Sequence, residues 1–239
     1  MENEWHITAI NEVVQNGFFT MGKKVKKFEK AFSNYIGSKY SVMVNSGSSA
    51  NLLAIFAAGN PLRQNKLKKG DEVITQPNSF IASAAVIAHI GAKPVFVDCD
   101  DTFCMNIAKV EEKINSKTKA ILTVHLYGEP SDLDRLLVLA NKHGLKIVED
   151  CAEALGSYYK SRRVGTYGDA ATFSFFGNKT VTTGEGGMVS FKLNKFAEEA
   201  RILRDHGMDP NRKYWHKIIG YNLRITNIQS AIGVAQMER

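Results

Sequence analysis

The sequence is poor in the residues that staple or interrupt a chain. Only three cysteines occur in 239 residues, Cys99, Cys104 and Cys151. Their number is odd and no C-x-x-C spacing appears, so neither a disulfide framework nor a zinc site is indicated. Five prolines and 19 glycines are too few for collagen or a low-complexity segment. No apolar run approaches the roughly 20 residues that cross a bilayer. The stretch Met1–Gln15 has neither the basic start nor the apolar middle of a secretory signal. From these absences we expect a cytoplasmic, reduced protein with no membrane partner.

Acidic residues are also in deficit, 24 against 31 basic, a net charge of +7. Such a balance suits nucleic acid, an anionic membrane or phosphorylated small molecules. The basic residues cluster in two runs, five lysines within 22–30 and four basic residues within 63–69. Neither run is interleaved with aromatics, and no zinc-finger, RRM or basic-zipper pattern is present. The runs read as solvated faces and loops, and nucleic acid is not the expected partner.

What is present is an alternation of short apolar runs with helical patterns. Seven strands are predicted: Tyr40–Val44, Glu72–Thr75, Pro94–Asp98, Ala120–Val124, Lys146–Glu149, Ala171–Ser174 and Gly187–Phe191. Most are unbroken apolar runs, as in strands buried on both faces. Helices are predicted over Ser48–Ala58, Ser79–His89, Ile107–Asn115, Ser131–His143 and Lys195–Asp205. A capping-type start is read at Ser131, and Gly144 is placed as that helix's terminal glycine. Two further helices, Ile7–Asn16 and Val25–Ile36, precede the sheet. This order predicts an α/β fold, an α/β/α sandwich around a mostly parallel seven-stranded sheet. Residues 1–36 form an N-terminal helical segment and 37–239 the large domain. A last helical face, Ile225, Ile228, Ala231, Ile232 and Ala235, runs towards Arg239 without a stop signal. The sequence is therefore expected to break off within a helix.

In open α/β sheets ligands bind beyond the carboxyl ends of the strands. After the first strand, Asn45-Ser46-Gly47-Ser48-Ser49 opens a helix. Gly47 permits close backbone approach and Ser48 adds a hydroxyl, a cradle for phosphate or simply a Ser-rich cap. No Walker lysine follows. After the second strand Phe80 offers a ring for a flat ligand, or a core side chain. The fifth strand ends in Glu149-Asp150, of which Asp150 is the better candidate for a buried charge; it could equally cap the next turn. After the sixth strand, Lys179 lies between an apolar strand and a Gly/Thr-rich turn. Desolvation there would make an amine nucleophilic, whereas an ordinary surface lysine would be solvated. A phosphate cradle, a ring, an acid and a lysine converging at one sheet edge are the parts that pyridoxal 5'-phosphate requires.

The chain resembles the DegT/DnrJ/EryC1/StrS family of sugar aminotransferases. The resemblance rests on Gly37–Ala50, Gly70–Ile74, Gly91–Asp98, Val124–Gly128, Val148–Ala154 and above all Thr172–Gly187. Tyr214–Asn227 adds to it and is similar to the branch that aminates GDP-4-keto-6-deoxymannose to perosamine. The resemblance implies the type I fold of pyridoxal-phosphate enzymes, with 37–239 as the cofactor-binding large domain, cut before a small C-terminal domain. It implies Lys179 as the Schiff-base lysine and proton carrier, Asp150 on the pyridine nitrogen and Phe80 over the ring. Glu153 would lie near the phenolic oxygen, and Gly47, Ser48 and Ser174 would hold the phosphate. Asn222 would reach the phosphate in a neighbouring subunit, which implies a homodimer with shared active sites. The expected reaction converts a nucleotide-linked 4-keto-6-deoxy sugar to its 4-amino sugar with L-glutamate as donor, for O-antigen or another surface polysaccharide. Another nucleotide keto-sugar, or a non-catalytic regulator that binds pyridoxal phosphate or a sugar nucleotide, are the alternatives. The chain departs from the family pattern at Ser48, where Thr is commoner, and by an insertion over Asn60–Lys69. That insertion is similar to one in related sugar 3-dehydrases, which carry histidine where this chain has Lys179. No metal site is expected.

Overall fold

The computed structural model describes residues 4–58 and 67–239. Residues 60–66 of the insertion lie outside the described residues. Consecutive apolar residues in each strand must face opposite sides of a sheet. They do so here, and both sides are covered. Met43, Ile74, Ile121, Ile147, Phe173 and Met188 enter one core, while Val42, Val44, Val73, Leu122, Val148 and Val189 enter the other.

The strands are β1 (Tyr40–Val44), β2 (Glu72–Thr75), β3 (Lys93–Phe96), β4 (Thr118–Val124), β5 (Lys146–Asp150), β6 (Tyr158–Tyr159), β7 (Arg162–Arg163), β8 (Ala170–Ser174) and β9 (Gly187–Phe191). Seven of them form one sheet in the order β1-β9-β8-β5-β4-β2-β3. Only β9 is reversed, antiparallel to both β1 and β8. The main sheet is thus the mostly parallel one that the sequence predicts. A two-stranded hairpin, β6–β7, was not foreseen. Its strands have two residues each, and Lys160 makes the turn at φ 53°.

The helices are α1 (Glu4–Asn16), α2 (Lys23–Ile36), α3 (Gly47–Ala58), α4 (Ala82–His89), α5 (Ile107–Lys113), α6 (Leu133–His143), α7 (Asn194–Arg204) and α8 (Asn227–Met237). Helix α2 buries Val25, Phe28, Phe32 and Ile36 along one stripe and ends at Gly37 in the left-handed region, φ 81°. Phe28 meets Phe175 at a tilt, and Phe32 meets Phe173 and Phe175 edge-on, on the sheet side. Helix α2 therefore shares the core of the α/β body. Lys23, Lys26, Lys27 and Lys30 stand exposed on the other side of α2; Lys24 is mostly covered and pairs with Glu12.

Most boundaries shift from the expectation by one to three residues, β5 for instance ending at Asp150 rather than Glu149, and three of the shifts have a visible cause. Helix α4 begins at Ala82 rather than Ser79, whose hydroxyl is instead 2.8 Å from that of Ser83. Helix α6 is capped by Asp132, which accepts from the Arg135 N–H, and not by Ser131, which is buried. Strand β3 ends at Phe96; Asp98, predicted as its last residue, accepts from its neighbour's N–H. Gly144 ends α6 as expected, at φ 65°.

Candidate active site

Five strand ends, those of β1, β2, β4, β5 and β8, open on one edge of the sheet. A cavity of about 450 Å³ lies there, of a size that suits a small-molecule ligand. It is lined by Gly47, Ser48, Phe80, Asp150, Glu153, Ser174 and Lys179 among others. Seven of the eight residues singled out from sequence are thereby brought together.

The β1–α3 turn comes first. Ser46 caps the helix: its hydroxyl accepts from the Ser49 N–H at 3.1 Å. The first N–H groups of a helix have no acceptor within it and favour an anion. Gly47 abuts Ser174, so that a Cβ on Gly47 would lie 2.7 Å from the Ser174 Cβ. Glycine is required for this turn to close on the end of β8.

Asp150 is 4% exposed. Its Oδ2 accepts from Asn51 Nδ2 at 2.7 Å and from the Ser83 hydroxyl at 2.9 Å. Its Oδ1 accepts from the Ala152 N–H at 3.1 Å. Asn51 is held in turn by the Thr172 hydroxyl, which donates to its Oδ1 at 2.6 Å. All these donors are neutral, and no basic side chain pairs with Asp150 among the described residues. A buried carboxylate held only by neutral donors is suited to a cationic N–H presented from the cavity.

Lys179 comes from the connection between β8 and β9. That connection is tied by the Phe175 N–H to Gly186 O and the Thr183 N–H to Phe175 O, both 2.9 Å. Gln236 of α8 accepts from the Thr182 N–H at 3.0 Å. The anchored loop brings Lys179 Nζ to 3.5 Å from Glu153 Oε1, while Glu153 Oε2 accepts from the Tyr127 N–H at 3.1 Å. Phe80, 76% exposed, stands at the mouth rather than in the core.

Asn222 lies elsewhere. It is exposed, bridges to Asp205 and is not among the residues lining the cavity. Asn51, Ser83 and Thr172 escaped the sequence reading although they hold Asp150. So did His125, which is fully buried and 3.0 Å from the equally buried Glu149. Burial alone would push the Glu149 carboxyl up, but the His125 hydrogen bond and the N–H groups of Gly168 and Gly165 hold it below the ordinary glutamate value. Burial and the charges of Glu149 and Asp150 push the Cys151 thiol far up.

The profile of the DegT/DnrJ/EryC1/StrS aminotransferase family matches residues 1–239. The chain is 48% identical over 221 residues to the GDP-perosamine synthase of Caulobacter vibrioides, covering 92% of this chain and 58% of that protein. It is 44% identical over 232 residues to the GDP-perosamine synthase of Escherichia coli O157:H7, covering 96% and 62%. The chain thus spans about three fifths of the length of these relatives. A GDP-4-keto-6-deoxymannose-3-dehydratase solved with bound GDP-perosamine superposes with a TM-score of 0.94, at 32% identity over 98% of this chain and 65% of that one. The same activity is named for a structure with a trapped PLP–glutamate geminal diamine, TM-score 0.93, at 32% identity and the same coverage.

Proposed function

The chain belongs to the DegT/DnrJ/EryC1/StrS aminotransferase family, and on that premise we propose that it carries the pyridoxal-phosphate half of an amino-transfer reaction on a nucleotide-linked keto-sugar. The substrate we infer is GDP-4-keto-6-deoxymannose, aminated at C4 with L-glutamate as donor, in cytoplasmic synthesis of a surface polysaccharide such as O-antigen. The relatives named as GDP-perosamine synthases support this choice. The observation that carries the reading is the sharing of one cavity by Lys179, Asp150 and the Gly47–Ser174 cradle.

These residues fit the cofactor. The cradle is closed to any side chain at Gly47, the helix start offers N–H groups to a phosphate, and Asp150 has no cationic partner among the described residues. Bound there, pyridoxal phosphate supplies an electron-accepting ring and an aldehyde that exchanges amino groups. Asp150 keeps the proton on the pyridine nitrogen. Attraction between a carboxylate and a cationic ring N–H would favour the protonated ring there. Lys179 Nζ would take the proton from the donor's α-carbon in the first half of the reaction and supply one to the sugar carbon in the second. Glu153 keeps Nζ aimed into the cavity from 3.5 Å. Phe80 covers the ring face and excludes water. Ser48 and Ser174 add hydroxyl donors to the phosphate. We further infer a homodimer in which Asn222, exposed and outside its own cavity, serves the partner's phosphate.

The test is direct. The protein mixed with pyridoxal phosphate should absorb in the visible, and Lys179→Ala should abolish the band. A wild-type protein that stays colourless sinks the proposal. A panel of nucleotide keto-sugars with glutamate, read by product mass, decides the sugar.

A further inference from the structure

Glu149 and Asp150 are adjacent in β5, so their side chains leave opposite faces of the sheet. Asp150 meets the cavity; Glu149 is not among its lining residues. Glu149 is nonetheless fully saturated. Its Oε1 accepts from the N–H groups of Tyr167 at 2.8 Å and Gly168 at 2.7 Å. Its Oε2 accepts from the Gly165 N–H at 2.8 Å and lies 3.0 Å from His125 Nε2. The 165–168 turn is shaped for this. Gly165 has φ +85°, and a Cβ there would lie 2.4 Å from the Phe173 ring; at Gly168 it would lie 2.8 Å from Ile147 O.

The other nitrogen of His125, Nδ1, accepts from the Ser131 N–H at 3.1 Å. An accepting Nδ1 carries no hydrogen, so the ring hydrogen sits on Nε2 and is donated to Glu149. Cys151 completes a buried trio with these two, their ligand atoms all within 4.8 Å. Glu149 already accepts four bonds and both nitrogens of His125 are engaged, which leaves no free lone pair there for a cation.

His125 leads into a single 3-10 turn, Leu126–Gly128, within which Tyr127 is held at φ 55°. Leu126 lines the cavity. The Tyr127 N–H is the donor that holds Glu153, and Glu153 faces Lys179. A non-glycine residue in the left-handed region persists only where its surroundings dictate it. Here those surroundings are His125 on one side and Glu153 on the other, with the Ser157 hydroxyl donating to Gly128 O at 2.8 Å and the Phe103 ring edge-on to Tyr127.

We propose that Glu149 and His125 are positioning residues for the amino transfer: they lock the Leu126–Gly128 turn so that the Tyr127 N–H presents Glu153 to the Lys179 amine. The catalytic part of this statement rests on the function proposed above. The hydrogen-bonded relay does not.

The experiment compares His125→Gln with His125→Asn. Glutamine can place its amide N–H near the Nε2 position and retain the donor to Glu149; asparagine is too short. In the cofactor-free protein, hydrogen exchange of the Tyr127 amide is read by NMR. It is slow in the wild type and in His125→Gln, and about tenfold faster in His125→Asn, the scale of one lost hydrogen bond to a charged group. In the pyridoxal-phosphate-loaded protein, His125→Asn lowers kcat about tenfold with KM for GDP-4-keto-6-deoxymannose unchanged, and His125→Gln restores most of it. An unprotected Tyr127 amide in the wild type, or full protection in a folded His125→Asn, overturns the proposal. If neither variant folds, ¹⁵N NMR of the wild-type His125 ring decides: a hydrogen on Nε2 alone supports the relay and one on Nδ1 overturns it. Should the wild type bind no pyridoxal phosphate, the functional reading fails while the amide exchange still tests the relay.

Discussion

Asn51 and Asp150 are joined by a 2.7 Å hydrogen bond from the Asn51 amide to the carboxylate, in the wall of the cavity that both line. The contact crosses from α3 to β5 and ties the helix that begins at the phosphate cradle to the acid expected on the pyridine nitrogen. With the Ser83 hydroxyl, which reaches the same carboxylate oxygen from α4, it sets the orientation of the acid against the neighbouring helices.

Replacement of Asn51 by leucine should therefore be costly twice over. Asp150 and the Thr172 hydroxyl each lose a partner in a dry setting, a penalty of about 1–3 kcal/mol per group. Denaturant unfolding should show the loss, and absorbance titration should show weaker pyridoxal-phosphate binding. A variant with unchanged stability and cofactor affinity would contradict this role.

At Gly47 the expectation is steric. A methyl group there meets the Ser174 side chain at 2.7 Å, so Gly47→Ala must push the β1–α3 turn off the end of β8. We expect a cofactor dissociation constant raised about tenfold or more by a displacement of this kind. The double variant Gly47→Ala, Ser174→Gly should recover part of it. Equal affinities for wild type and Gly47→Ala would show the cradle to be looser than described.

Glu149 gives the fold an acid limit. Its folded carboxyl is held below the ordinary value, so it stabilises the protein fully above the unfolded glutamate pKa of about 4.3. That contribution is lost as pH falls through the folded value. Urea midpoints measured against pH should drop in this acid window, and Glu149→Gln should flatten the drop while lowering the midpoint at neutral pH. An unchanged acid limb in that variant would rule Glu149 out as a source.

The thiols should separate by exposure. Cys104 and Cys151 are 1% exposed, and burial raises both thiols. Cys99 is only partly covered. Maleimide labelling followed by peptide mass should find Cys99 modified in the native protein, with the other two reacting only on unfolding. Native labelling of Cys151 would mean that the floor of the site opens.

Much of this was legible in the sequence, for a physical reason. A strand covered on both sides is largely apolar, and the limits of β1, β2 and β9 are legible from such runs even though Ser41, Glu72, Thr75 and Ser190 are buried polar members of them. Lys179 and Asp150 were legible because sheet topology assigns chemistry to strand ends. Ser131 misled because a serine ahead of a helix resembles a cap even when its N–H is committed to His125. Asn51 and Ser83 were invisible because polar residues inside otherwise apolar helices carry no mark of what they face. The His125–Glu149 pair has no spacing signature at all; it is made by the register of β4 on β5, in which Val124 stands opposite Asp150.

The reversal of β9 bears on how such a site can be altered. Because β8 leaves the sheet and β9 re-enters it at the same edge, Lys179 rides on a segment that begins and ends beside the cavity. Exchanging or lengthening that segment rethreads no crossover, and the ties to α8 that it has to keep are those of Thr182 to Gln236 and of Glu185 to Gln229. A grafted version with Phe175 and Gly186 kept as its endpoints could retune the depth and reach of the amine while the rest of the architecture stays as it is.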